Sequence, residues 1–181
     1  MDRNLGASQV ATSSTDADSY GDLYQWGRGK DGHQCSHLGT TSTLSTTDIP
    51  GHGDFILNSS SPYDWRNPKN DSLWQGVNGI NNPCPNGYRV PTQAELNDER
   101  LSWSSNNAAG AFGSVLKLPL AGRLDGHVGT TKSFGWVGNK GFYISSTVQG
   151  NNIKGLEFNS TSAFIWDYFR VGAYSVRCIK D

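Results

Sequence analysis

What this chain lacks narrows its chemistry first. It has no surplus of either charge: 15 Lys and Arg against 16 Asp and Glu leave a net charge of −1. That argues against a partner held by electrostatics, so no nucleic acid is expected. No apolar run approaches the roughly 18 residues of a membrane span, so no direct membrane insertion is expected either. The opening "MDRNLGASQV" lacks the basic-then-apolar pattern of a signal peptide, and a start directly on a plausible strand reads as an excised fragment. Cysteine is scarce: Cys35, Cys84 and Cys178. An odd count permits one bridge and one free thiol, or three buried thiols, and spacing does not choose between them.

Patterns of catalytic chemistry are also missing. "GRGKDGH" is glycine-rich and basic but lacks the spacing of a phosphate loop and the helix that should follow it. His33, Cys35 and His37 alternate, yet without the paired spacing of structural zinc. Asp16, Asp18 and Asp22 could gather calcium, though acidic loop residues more often solvate or cap. Ser and Asp are scattered everywhere, which leaves a hydrolytic triad without support. No metal, cofactor or catalytic activity is expected.

What is abundant is glycine, with 22 residues, among many Ser, Thr and Asn. Aromatics at 11% argue against disorder, so the bias suits a loop-rich globular chain whose backbone needs residues tolerant of positive φ. At 19.7 kDa the chain fits one domain, residues 1–181. "MDRNLGA" reads as a first strand, and Tyr20, Leu23, Tyr24 and Trp26 of "YGDLYQWGRG" as core. Residues from about Gly32 to Asn82 hold no lasting periodicity and read as a long meander pinned by Phe55, Ile56, Leu57, Tyr63, Trp65, Leu73, Trp74 and Val77.

"RVPTQAELNDERLSW" is the clearest helix. Thr92 and Glu95 have the spacing of a capping box, and Leu96 and Leu101 supply an apolar side, with an end near Trp103. "LKLPLAGRL", "GWVGNKGFYISSTV", "GLEFNS" and "AYSVRCIK" read as short strands. In "GLEFNS", Leu156 and Phe158 should face one side and Glu157 and Asn159 the other. The fold class is α+β, a small mixed sheet with one or two short helices and much loop.

Several stretches converge on one family. "MDRNLGA", "YGDLYQWGRG", "CPNGYRVPTQAEL", "GFYISSTV" and "YSVRCIKD", in this order, resemble the major paralogous domain family first named for Fibrobacter (FISUMP). That family is similar to the formylglycine-generating-enzyme branch of the C-type lectin fold. The closing segment, residues 143–181, resembles the variable region of target proteins of diversity-generating retroelements. The resemblance implies a C-type lectin-like domain with its terminal strands close together. It also favours pairing Cys84 with Cys178, as a bridge or as packed thiols. A bridge there would close a loop of about 94 residues, on the order of 4–5 kcal/mol in the chain-entropy model. Enzymes of that branch need a reactive thiol pair, and with Cys178 so engaged only Cys35 is left, which weighs against catalysis.

The same resemblance divides the closing segment into scaffold and display. Ser145, Ser146, Thr147, Leu156, Phe158, Ala163, Arg170, Gly172, Ser175, Val176, Arg177 and Cys178 match positions that look fixed. The displayed, ligand-binding set is expected to be Ile144, Gln149, Asn151, Asn152, Lys154, Gly155, Glu157, Asn159, Phe164, Ile165, Trp166, Asp167, Tyr168, Phe169, Val171, Ala173 and Tyr174. Phe164 to Phe169 is six side chains in a row. A strand buried on one face hides only alternate ones, so the rest would be exposed apolar surface of the kind that marks an interaction site. Two functions remain. One is a receptor-binding or adhesin-like variable protein, extracellular, on a cell surface or on a virion, whose partner is a protein or cell-surface ligand. The other is a fixed carbohydrate-binding or structural domain of a surface lipoprotein or appendage.

Overall fold

The computed structural model describes residues 1–34, 39–127 and 131–181. In chain order the elements are β1 (Leu23–Gln25), β2 (Thr40–Thr41), β3 (Phe55–Ile56), β4 (Tyr88–Arg89), α1 (Gln93–Leu101), α2 (Ala108–Gly113), β5 (Arg123–Asp125), β6 (Ser133–Gly135), β7 (Gly141–Gln149), β8 (Asn152–Phe158), β9 (Ala163–Phe169), β10 (Ala173–Ser175) and β11 (Ile179–Lys180). This is a mixed α+β arrangement, mostly sheet. The main sheet runs β6-β5-β10-β7-β8-β9, with β1 paired to β10. Its long part is an antiparallel meander of β7, β8 and β9, while β10 returns to lie parallel to β7. None of the described helices is long and apolar enough to cross a membrane.

Local sequence explains the helix starts. Thr92 accepts from the Glu95 amide while the Glu95 carboxylate accepts from the Thr92 amide, so the capping box is complete. Arg89 clamps the same carboxylate through both terminal nitrogens, at 2.7 and 2.8 Å. These contacts, that of Arg89 foremost, hold the Glu95 pKa down to about 2. Only Leu96 of α1 is buried, and Leu101 is 65% exposed. Five residues turn a helix through about 140° beyond a full circle, so the two leucines lie on different sides. A second helix, α2, stands where the sequence reads as loop, capped by Asn107, which accepts from the amides of Ala109 and Gly110.

The first seven residues are not a strand. Leu5 bonds across to the Val176 carbonyl, and the Met1 ammonium donates to the Cys178 carbonyl at 2.7 Å, so the two ends of the chain lie side by side. Cys84 and Cys178 are joined by a disulfide with 5.9 Å between their Cα atoms. Tyr24 and Trp26 from the β1 stretch, and Ile56, Trp65, Leu73 and Trp74 from the meander, form the largest core cluster with Phe142, Ile144, Ile153, Tyr168, Tyr174 and Val176. Tyr63 and Val77 of the meander are half-buried, as is Tyr20. A second cluster, on the other face of the β7–β8 ribbon, holds Leu96, Ala111, Tyr143, Leu156 and Phe158.

Buried polar groups lock this frame. Gln25 donates to the carbonyls of Ile56 and Val171, tying the meander to the closing segment. Arg170, fully buried over the Trp26 ring, meets Asp71 at 2.6 Å and Asp64 at 3.5 Å. Arg177 donates to Asn4 Oδ1 and to the Leu116 carbonyl.

Candidate functional site

The candidate site is built on β9, an edge strand that among the described residues pairs only with β8. Phe164, Trp166 and Tyr168 point to one face of it, and Ala163, Ile165, Asp167 and Phe169 to the other. Trp166 is 59% exposed and its ring meets the half-buried Phe164 ring edge to face at 5.8 Å. Tyr168, two residues on, is 4% exposed. Its ring stands edge-on to Phe142 and tilts against Tyr174, and its hydroxyl donates to Glu157 Oε2 at 2.8 Å. Burial first, and then the neighbouring Glu157 carboxylate, push the Tyr168 pKa up, so the phenol stays protonated.

Glu157 joins this face to a second aromatic. Its Oε1 accepts from Lys140 at 2.6 Å, and the same ammonium lies over the Trp136 ring at 4.5 Å. Trp136 is 52% exposed and holds a left-handed backbone at φ 66°, with Phe134 and Val137 exposed beside it in sequence. A non-glycine residue is seldom held at positive φ, and of Tyr63, Lys117 and Trp136, which are, Trp136 is the exposed aromatic. Trp136, Lys140 and Glu157 thus lead across the sheet to Phe164, which lies opposite Glu157 in the register, and on to Trp166. Trp136 is the functional candidate that sequence reasoning missed: "GWVGNK" reads as strand, although Gly135, Gly138 and Asn139 around it are turn residues.

The displayed set expected from the sequence is divided by the structure. Gln149, Asn151, Trp166 and Asp167 are exposed, and Asn152, Lys154, Asn159, Phe164, Ile165 and Phe169 are half-buried. Ile144, Gly155, Glu157, Tyr168, Val171, Ala173 and Tyr174 are buried, which corrects their placement as displayed residues. The reasons are positional. β10 lies inside the sheet, paired to β1, β5 and β7, and both its faces are packed: Tyr174 joins the largest core cluster, while Ala173 packs with Leu23, Phe55, Leu57 and Leu124. Ile144 sits on β7 under the main core, and a Cβ at Gly155 would stand 3.1 Å from the Tyr168 ring. Glu157 does lie opposite Leu156 and Phe158, but Lys140 and Tyr168 close over it.

The remaining candidates stay peripheral. Lys154 pairs with Asp167 across the strands at 2.8 Å. Phe169 packs on Tyr63 at 4.4 Å and against His127 at 5.0 Å. Asn159 uses its side-chain oxygen to cap the β8–β9 turn.

The metal candidates resolve differently. Cys35 and His37 lie outside the described residues. Both ring nitrogens of the buried His33 are engaged: Nδ1 donates to Asp31 at 2.5 Å and Nε2 accepts from the Gln25 amide. Asp16 is a cap, accepting from Thr12 and Asp18. Among the described residues no three His, Cys, Asp or Glu converge on a common point.

Comparison with known proteins gives no relative: no family model, curated protein or solved structure matches the chain.

Proposed function

We propose that this is a non-catalytic binding protein. It holds the outward side chains of its closing strand against a protein or cell-surface ligand, as a receptor-binding or adhesin-like variable protein. The observation that carries this reading is the half-open β9 edge, where the exposed Trp166 ring meets Phe164 beside the sealed Tyr168. Contiguous exposed aromatics are uncommon on a monomer unless something meets them, and Trp is among the residues that most often dominate interfaces. Two or three such anchors at about 2 kcal/mol each, with a polar rim from Gln149, Asn151 and Asp167, are enough for binding near the micromolar range.

The scaffold is read as a C-type lectin-like fold of the formylglycine-generating-enzyme subtype. The order of the sequence motifs supports it, as do the adjacent chain ends and the mixed sheet. The disulfide suits an oxidising place of work, such as a cell surface or a virion exterior.

The test is a combined protein and glycan array probed with the wild type and with the Phe164→Ala/Trp166→Ala double variant. At least one feature should lose tenfold or more of its signal in the variant. Binding that both forms share equally would refute the reading, and loss confined to glycans would favour the fixed carbohydrate-binding alternative. Sequencing the DNA around the gene checks diversification separately: a near-copy of the 143–181 cassette and a reverse transcriptase gene should lie close by.

A further inference from the structure

The edge of β9 offers main-chain groups as well as side chains. The β8–β9 turn closes with the Asn159 amide donating to the Ser162 carbonyl, and the register then runs Phe158 opposite Ala163 through Asn152 opposite Phe169. In an antiparallel ladder hydrogen-bonded and non-bonded pairs alternate. Phe164, Trp166 and Tyr168 therefore bond to β8, and Ala163, Ile165, Asp167 and Phe169 turn their amides and carbonyls outward. Two independent contacts agree: Asn106 Nδ2 donates to the Ala163 carbonyl, and the Tyr174 hydroxyl to the Phe169 carbonyl. Both ends of the edge are thereby capped. Between the caps, no hydrogen bond from the described residues reaches the outward groups of Ile165 and Asp167.

We propose that the partner of this face is an extended polypeptide segment that pairs along β9 at Ile165 and Asp167. This deepens the binding reading above and rests on it. Strand addition of this kind takes affinity from main-chain bonds and specificity from alternate side chains. The partner residue opposite Trp166 must be bulky and apolar, because it lies on the face of Phe164 and Trp166. Its neighbour opposite Asp167 should be Lys or Arg, since the Asp167 side chain is 42% exposed and only Oδ1 is held by Lys154. The residue opposite Ile165 should be apolar. A second copy of this chain fits less well. Two-fold pairing of β9 with itself sets the Asn106 cap of each copy against the Tyr174 cap of the other, whereas a lone segment carries no caps.

A displayed library of random twelve-residue linear peptides is selected on the full chain. An enriched peptide is then titrated by fluorescence anisotropy against wild type, Trp166→Ala, Asp167→Ala and Asp167→Pro. Proline at 167 removes an outward amide and no β8 bond, a change that edge strands tolerate. Asp167→Ala controls for the lost charge. The proposal expects the selected peptides to share a triad of two apolar residues and a terminal basic one, reading basic–apolar–apolar in an antiparallel segment and apolar–apolar–basic in a parallel one. It also expects affinity at least tenfold weaker in Asp167→Pro than in Asp167→Ala, and slowed amide exchange at Ile165 and Asp167 when peptide is bound. If Asp167→Pro does not fold, exchange at those two amides in the wild type decides alone. The proposal falls if no peptide is enriched, or if Asp167→Pro and Asp167→Ala bind equally. It also falls if sedimentation shows a wild-type dimer that Asp167→Pro abolishes, which assigns the edge to a second copy. Loss of binding in Trp166→Ala but not in Asp167→Pro leaves the face as a binding site and removes only the strand pairing. Loss in neither variant removes both.

Discussion

Replacing Tyr168 by Ala and, separately, Trp166 by Ala separates frame from display in one denaturation experiment. The two residues sit on the same face of β9, two positions apart, and differ in cover: Tyr168 is 4% exposed and Trp166 59%. Truncating a buried aromatic to Ala costs about 3–5 kcal/mol, and Glu157 losing one of its two partners adds about 1 kcal/mol. Trp166 has about two-fifths of its surface covered. For a side chain that buries roughly 150–250 Å² in full, that is about 60–100 Å², or about 1.5–2.5 kcal/mol as an upper bound. Guanidinium unfolding followed by far-UV circular dichroism, with the disulfide intact, reads both numbers as midpoint shifts. Tyr168→Ala should move the midpoint at least twice as far as Trp166→Ala, and Tyr168→Phe, which keeps the ring and loses the hydroxyl, by about 1–2 kcal/mol. Equal costs for the two alanine variants would refute the division of β9 into a sealed end and an open middle.

Three further outcomes are expected. The Glu95 carboxyl is held at about 2 in the folded chain against an ordinary 4.5. Its stabilisation is therefore complete above pH 4.5 and lost as pH falls toward 2. After allowance for partial solvent exposure it amounts to about 1–2 kcal/mol, and Glu95→Gln should flatten the stability profile across that window in pH-dependent urea melts. Replacing both Cys84 and Cys178 by Ala should lower stability by about 2–5 kcal/mol, read as a fall in Tm that matches wild type under reductant; no difference between the two redox states would show that the bridge carries no load. Arg170→Met leaves Asp64 buried without its cation and should cost about 3–5 kcal/mol, of which Asp64→Asn in the same chain recovers part; strict additivity in that double-mutant cycle would deny the pairing.

Features legible in the sequence were those set by neighbours along the chain. The capping box at Thr92 and Glu95 needs only four residues, and the alternation of Leu156 and Phe158 only three. The aromatic anchors Trp26, Trp65 and Trp74 stand among polar, turn-rich residues with little else to build a core from, which is what marks them as anchors; size alone does not, since Trp136 and Trp166 are open. What sequence could not supply is cover from a distance. Glu157 has the pattern of an outward residue, but Lys140, 17 residues earlier, and Tyr168, 11 later, close over it. Tyr174 and Ala173 look available until the chain is folded, when one core cluster closes over Tyr174 and another over Ala173. The second helix was hidden because "AAGAFG" carries two glycines, and its cap at Asn107 sits within a run of serines and asparagines that reads as loop.

The distribution of buried charge explains why variation at β9 would be tolerated when variation next to it would not. Immediately beyond the strand, Arg170 and Arg177 are both sealed, and each depends on partners far away in sequence: Asp64, Asp71 and Asn70 for the first, Asn4 and Leu116 for the second. Displacing the acceptors of a buried guanidinium costs several kcal/mol, so the chain from Arg170 to Arg177, with β10 between them, is held in place. The middle of β9 carries no such dependence. Its bonds to β8 are main-chain bonds that any residue except proline makes at Phe164, Trp166 and Tyr168, and its exposed side chains touch chiefly one another and Lys154. A substitution at Trp166 or Asp167 therefore changes what the edge presents without changing where the edge lies. That separation of cost from position is the physical requirement for a surface that recognises by side-chain identity, and here it holds for Phe164 to Asp167 and fails at Tyr168 and from Arg170 to Cys178, where the chain is buried.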